Sequence, residues 1–328
     1  MKTLLTLLFI PALLATAQNA APGTRNALEQ TAAPTPGLDD SSLVADSPKT
    51  FPRKGPLPLL YPPNLPMRDE ESEVDYFIFS APLEPGTPIG QVPAEVPAPS
   101  RYPGRTLEQI ARIESEIPHG TFTPPENAWN HLSRTRRILT EGGDLHILAL
   151  GDSIINDTVR SGWVAKLQQA YPKVRIKLTV YIRGGGGCHH FKEEGRVQKY
   201  ILPRQPDLIH IGGISQKDIA SIREVIQQIR AGLPDVEFLL TSGVFGRVDL
   251  RDPAKLALAP HSGTGAYGQA LRQLASDERC AYLDMTRSWA DYLVSSQQHP
   301  HAFYRDRVHA NEFGEQVLSR ILIAFFKP

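Results

Sequence analysis

A serine in a turn after an apolar run is the first place where this sequence could do chemistry. Leu145-His146-Ile147-Leu148-Ala149-Leu150 reads as a short buried strand, and Gly151-Asp152-Ser153-Ile154 turns it toward a helix. In an open α/β sheet such a turn sits at the carboxyl end of a strand, where ligands bind. A serine there can attack a carbonyl if a base accepts its proton. It can equally well do no more than cap the helix that follows. Near the other end stands Asp306-Arg307-Val308-His309, directly before the last apolar helix. A carboxylate three residues before a histidine can hold one ring nitrogen, fix the tautomer and leave the other nitrogen to serve as a base.

The elements that must position these residues follow from hydrophobic periodicity. Strands are predicted at 145–150, 174–182, 208–211, 236–241 and 281–285. Helices are predicted at 161–170, more weakly at 195–201, then at 219–231, 265–275 and 311–325. Ile219, Ile222, Ile226 and Ile229 make one helical stripe; Phe313, Val317, Ile321 and Phe325 make another. Short apolar strands separated by helices imply a parallel sheet covered on both faces. Upstream, a helix over 107–117 starts at Thr106 and stops at Pro118, and a second over 127–139 ends at Gly142-Gly143. The glycine run Gly184 to Gly187 lacks the lysine–serine pair of a phosphate-binding loop, and no dinucleotide fingerprint is present.

In this order and architecture the motifs resemble the SGNH (GDSL-like) hydrolase superfamily. The matching residues are Gly151-Asp152-Ser153 after the first predicted strand, Gly184-Gly185-Gly186-Gly187 after the second, and Asp306-Arg307-Val308-His309 before the last helix. The resemblance covers about residues 127–328. It implies a flavodoxin-like three-layer α/β/α sandwich with a five-stranded parallel sheet in the order 2-1-3-4-5. It also implies Ser153 as nucleophile, His309 as base and Asp306 as the group that orients the histidine. The expected oxyanion donors are the N–H of Ser153, a glycine N–H (Gly187, with Gly186 next) and a side-chain amide after the third strand. Here the sequence departs from the family, whose Gly-x-Asn-Asp is replaced by Gly212-Gly213-Ile214-Ser215-Gln216-Lys217-Asp218. Gln216 keeps the amide and is the preferred donor; Ser215 is the alternative, through its hydroxyl.

Composition bounds the remaining possibilities. Lys plus Arg and Asp plus Glu both number 35, so there is no electrostatic case for a nucleic-acid partner. Two cysteines cannot build a disulfide scaffold or a cysteine zinc site. Cys188 follows the second strand and Cys280 precedes the fifth, at opposite edges and ends of the sheet, so both are expected as free thiols. Cys188-His189-His190 looks like a metal cluster, but adjacent histidines rarely converge on one ion, and no metal or other cofactor is expected. One of these histidines could instead line the substrate cleft. His210 lies inside an apolar strand and reads as a satisfied core histidine.

Lys2, the apolar run Leu4 to Leu14 and Ala15-Thr16-Ala17 have the pattern of a signal peptide over 1–17, too short to span a bilayer. Export to a periplasm or the exterior is expected. Residues 18–104 are rich in Pro, Ala, Ser and Thr and read as a linker or extended arm. Leu59-Leu60-Tyr61 and Tyr76-Phe77-Ile78-Phe79 are apolar clusters within it, either pinned to the domain or merely sticky. A helical lead-in over 105–143 and a catalytic domain over 144–328 complete the expected organisation. The expected substrate is an acylated small molecule or polysaccharide. The resemblance, to exported members without a long apolar lid, implies O-deacetylation of a carbohydrate; a lipase-like or thioesterase activity and a catalytically impaired binding protein are the alternatives.

Overall fold

Parallel pairing of five strands builds the sheet that carries the serine turn. The computed structural model describes residues 75–80, 107–125, 129–244, 246, 248–261, 263–305 and 308–327. The predicted leader 1–17, residues 18–74 with Leu59-Leu60-Tyr61, residues 81–106 with the Thr106 cap, and Asp306 with Arg307 lie outside the described residues. The strands are β1 (Asp75–Ser80), β2 (Gly143–Gly151), β3 (Val174–Ile182), β4 (Leu208–Gly212), β5 (Glu237–Thr241) and β6 (Ala281–Leu283). Their order is β1-β3-β2-β4-β5-β6. From β3 to β6 all pairings are parallel, in the predicted order. The sheet also takes a strand that the fold expectation did not include. β1, from the proline-rich region, pairs antiparallel with β3, Asp75 opposite Ile182 and Ser80 opposite Lys177.

Helices cover both faces: α1 (Leu107–Glu116), α2 (Ser133–Glu141), α3 (Ser153–Arg160), α4 (Trp163–Ala170), α5 (Cys188–Phe191), α6 (Ile219–Gly232), α7 (Pro253–Leu258), α8 (Gly263–Asp277), α9 (Met285–Ser296) and α10 (Glu312–Phe325). Because side chains alternate along a strand, β2 feeds two cores. Leu145, Ile147 and Ala149 pack with residues of α3, α4, α9 and α10. Leu148 and Leu150 pack with residues of α6 and α8 on the other face. Each fully buried side chain of this kind contributes about 1.5–3 kcal/mol. Trp163 fills the first core, stacked on Phe326 with ring centroids 5.7 Å apart.

Three sequence expectations need correction. The helix predicted over 161–170 is α4, which starts at Trp163; the residues just before it form a separate helix, α3, for which no range was predicted, with Ser161 and Gly162, at φ +73, between the two. α3 buries Ile154, Ile155 and Val159 together with Asp157 and Thr158. α2 starts at Ser133, later than the predicted 127. The residues after β6 form α9, a whole helix for which none was predicted. Its signal was Asp284, whose carboxylate accepts the Arg287 N–H as a cap, followed by Trp289 and Leu293 one turn apart. Among the described residues no helix is long and apolar enough to cross a membrane.

Candidate active site

Register brings three loops to one edge of the sheet. Gly151, the last residue of β2, lies opposite Ile182 of β3 and Gly212 of β4. The loops after these strands, carrying Ser153, Gly184 to Gly187, and Ser215 with Gln216, therefore leave the sheet side by side. Ser153 opens α3, so its N–H has no intrahelical acceptor.

Asp152 ties two of these loops together. Its carboxylate is 1% exposed and accepts the N–H groups of Ile154 at 3.0 Å, Ile214 at 2.8 Å and Ser215 at 3.0 Å. Burial pushes this carboxyl up, against the three donors that favour its charged form. The contact demands glycine at 213, where φ is +87 and a Cβ would lie 2.1 Å from Asp152 Oδ1. Beyond it Ser215, Gln216 and Lys217 all have positive φ, at 38, 56 and 58 degrees. Three consecutive left-handed non-glycine residues cost about 1–3 kcal/mol each, and such strain gathers at functional sites.

The predicted base, His309, arrives from the far end of the chain. His309 Nε2 lies 2.8 Å from Ser153 Oγ, across 156 positions of sequence. Its loop is closed by a bridge between Tyr304 and Ala310, and the Arg305 N–H donates to the His309 carbonyl at 3.0 Å. Asn311 then caps α10, its Oδ1 accepting from Phe313 and Gly314 at 3.0 Å each. Behind the histidine lies a buried group that the sequence reading passed over. Asp157 accepts from Arg305 Nη2 at 2.8 Å and from the Ala310 N–H at 3.0 Å. Burial pushes its carboxyl up to about 6, opposed by Arg305, with Glu315 adding to the rise. Asp306, the predicted orienting carboxylate, lies outside the described residues.

The predicted oxyanion donors stand in different environments. The Gly187 N–H donates to the Arg183 carbonyl at 3.0 Å, and so does that of Gly186. Gly187, at φ +50, packs on Ser215, whose Oγ would be 2.6 Å from an added Cβ. Ser215 is buried, and its Oγ accepts the Cys188 N–H at 3.1 Å, which leaves its own proton to donate elsewhere. Gln216 is exposed on the turn above it.

The remaining candidates separate clearly. His189 Nδ1 lies 3.1 Å from Asp218 Oδ2, and His190 Nδ1 accepts from Arg196 at 2.9 Å. No group of three metal-type side chains gathers among the described residues. His210 is fully buried; Nε2 meets Thr241 Oγ1 at 3.0 Å, while Nδ1 has no partner among the described residues. It is thus half satisfied, and burial lowers it to about 3, so it stays neutral. Cys188 and Cys280 are buried free thiols. Burial pushes them up to about 12 and about 11.

By sequence, no family model and no curated protein matches this chain. By structure it is similar to a two-domain esterase active on acetylated mannans, at 13% identity and a TM-score of 0.46, over 63% of this chain and 54% of that one. A GDSL-like lipase candidate from Parabacteroides merdae matches at 17% identity and a TM-score of 0.44, over 57% of this chain and 98% of that one. A carbohydrate esterase family 3 protein from Talaromyces cellulolyticus matches at 15% and 0.37, over 54% and 94%. This chain spans about half the length of the mannan esterase.

Proposed function

We propose that the protein is an exported serine esterase acting through a covalent acyl-enzyme. The 2.8 Å contact between His309 Nε2 and Ser153 Oγ carries this reading, because a serine hydroxyl needs a base within hydrogen-bond reach to attack an ester. Ser153 Oγ adds to the carbonyl carbon while His309 takes its proton. His309 then returns that proton to the leaving alcohol, and in the second half it activates water to release the acid. Asp306 would hold the other ring nitrogen. The N–H of Ser153 at the start of α3 would meet the developing oxyanion, with a glycine N–H of Gly184 to Gly187 and the Gln216 amide. Gly187 could join only by sharing or leaving its bond to Arg183. The leader pattern at 1–17 supports export, and export with the family resemblance supports an acylated carbohydrate as substrate, with O-deacetylation as the reaction.

A second reading rests on the same loops. With the Gly186 and Gly187 N–H groups turned to Arg183 and no asparagine after β4, the fold could bind acylated glycans without turnover. A fluorophosphonate probe separates the two. Wild type should take one label on Ser153, and Ser153→Ala none; a folded wild type left unlabelled favours binding alone. Acetyl against octanoyl p-nitrophenyl esters then reads the chain length, and a preference for octanoyl overturns the deacetylase assignment.

A further inference from the structure

We propose that Asp157 is the positioning residue that registers the His309 loop against the helix of the nucleophile. This rests on the assignment of Ser153 and His309 above. Ser153 and Asp157 are four residues apart on α3, hence on one face, about one turn from each other. The Asp157 carboxylate grips the loop on both sides of His309. One oxygen accepts from the Arg305 guanidinium, four residues before the histidine, and the other from the Ala310 N–H, one residue after it. Arg305 closes the ring by donating from its backbone to the His309 carbonyl and from Nη1 to the Ala310 carbonyl. Two attachments on either side of the imidazole fix both the place and the tilt of the segment.

The loop does not need Asp157 merely to be folded onto the domain. Its far end is already fastened to α10 by Asn311, whose Nδ2 donates to the Ala302 carbonyl at 2.8 Å while Oδ1 caps the helix. Glu315 of α10 also faces Arg305 and Arg160, at 3.8 and 3.4 Å. Asn311 and the Arg305–Glu315 contact anchor the loop to α10, and the Arg160–Glu315 contact ties α10 itself to α3. Asp157 differs in fastening it to α3, the helix whose first residue is Ser153. It is 1% exposed, with Arg305 and Arg160 balancing its charge and that of Glu315. An error of about 1 Å between base and nucleophile can cost about 10²-fold in rate, so this link bears directly on turnover.

The test is Asp157→Asn, which keeps the size of the side chain but presents an N–H to one of the two donors. Its kcat on p-nitrophenyl acetate should fall by about 10²-fold with KM within about threefold of wild type. A fluorophosphonate should label Ser153 to the same final extent but about 10²-fold more slowly. Loss of fold would lower the extent, whereas a misplaced base lowers the rate at full extent. Should this variant not fold, Arg305→Gln removes one attachment from a side chain already 36% exposed, and about tenfold slower labelling is expected. Labelling as fast as wild type in either folded variant overturns the role of Asp157 alone. A wild type that takes no label on Ser153 overturns the functional reading and this inference with it.

Discussion

Two buried aspartates flank Ser153, and each binds a different loop to it. Asp152 holds the loop after β4 through backbone N–H groups only, those of Ile214 and Ser215, besides capping its own helix at Ile154. Asp157 holds the His309 loop through a guanidinium and one N–H, with a second arginine and Glu315 close by. The Asp157 side has cations to offset the burial of charge. The Asp152 side has none in hydrogen-bond contact among the described residues, and it holds three left-handed residues in place. The His309 side is thus fixed by side-chain chemistry, and the side of the β4 loop, proposed to hold the oxyanion, by backbone geometry that one carboxylate maintains. Changes of side chain should therefore tell most about the first, and changes of backbone support most about the second.

Gln216→Ala gives the largest effect expected on the oxyanion side, a fall in kcat of roughly 10²–10³ with folding unchanged, read on p-nitrophenyl acetate. An unchanged rate removes Gln216 from the hole and leaves the hydroxyl of Ser215 to be tried. Asp152→Ala would strip the acceptor from three buried N–H groups. It should lower the unfolding free energy by about 3 kcal/mol or more in a urea titration. A loss below about 1 kcal/mol would show that the β4 loop holds its own conformation and would end the contrast drawn above.

The smallest effect is a pH dependence. The Asp157 carboxyl is raised from 3.8 to about 6 in the fold, by burial first and with Glu315 adding to it, against Arg305, Arg160 and His309. The folded protein then holds a proton that the unfolded chain releases. This contribution to stability is full below about pH 4 and is lost as pH rises through about 6. The difference in unfolding free energy between wild type and Asp157→Asn should fall over that interval. A difference that stays flat would mean that Arg305 and Arg160 fully offset the burial of the carboxylate.

The strand order came from the family resemblance, whereas periodicity determined the five parallel strands and the stripes of α6 and α10, because apolar side chains recur along one element at the spacing of its own backbone. It also placed Ser153 after the central strand and His309 before the last helix. It did not mark α3 as a separate helix, because its eight residues mix buried Ile154, Ile155 and Val159 with buried Asp157 and Thr158, a pattern too short and too mixed to stand out. It did not show the pairing of 75–80 with β3, whose composition matches a linker. Only the tertiary structure decided that His309 meets Ser153 across 156 positions, and Arg305 meets Asp157 across 148. It also decided that Gly186 and Gly187 spend their N–H groups on Arg183. The glycine bonds close a local turn, whereas the bonds of Ser153 and Asp157 join atoms on different elements. The partners of the latter are fixed by strand register and helix packing, which no local spacing of residue types records.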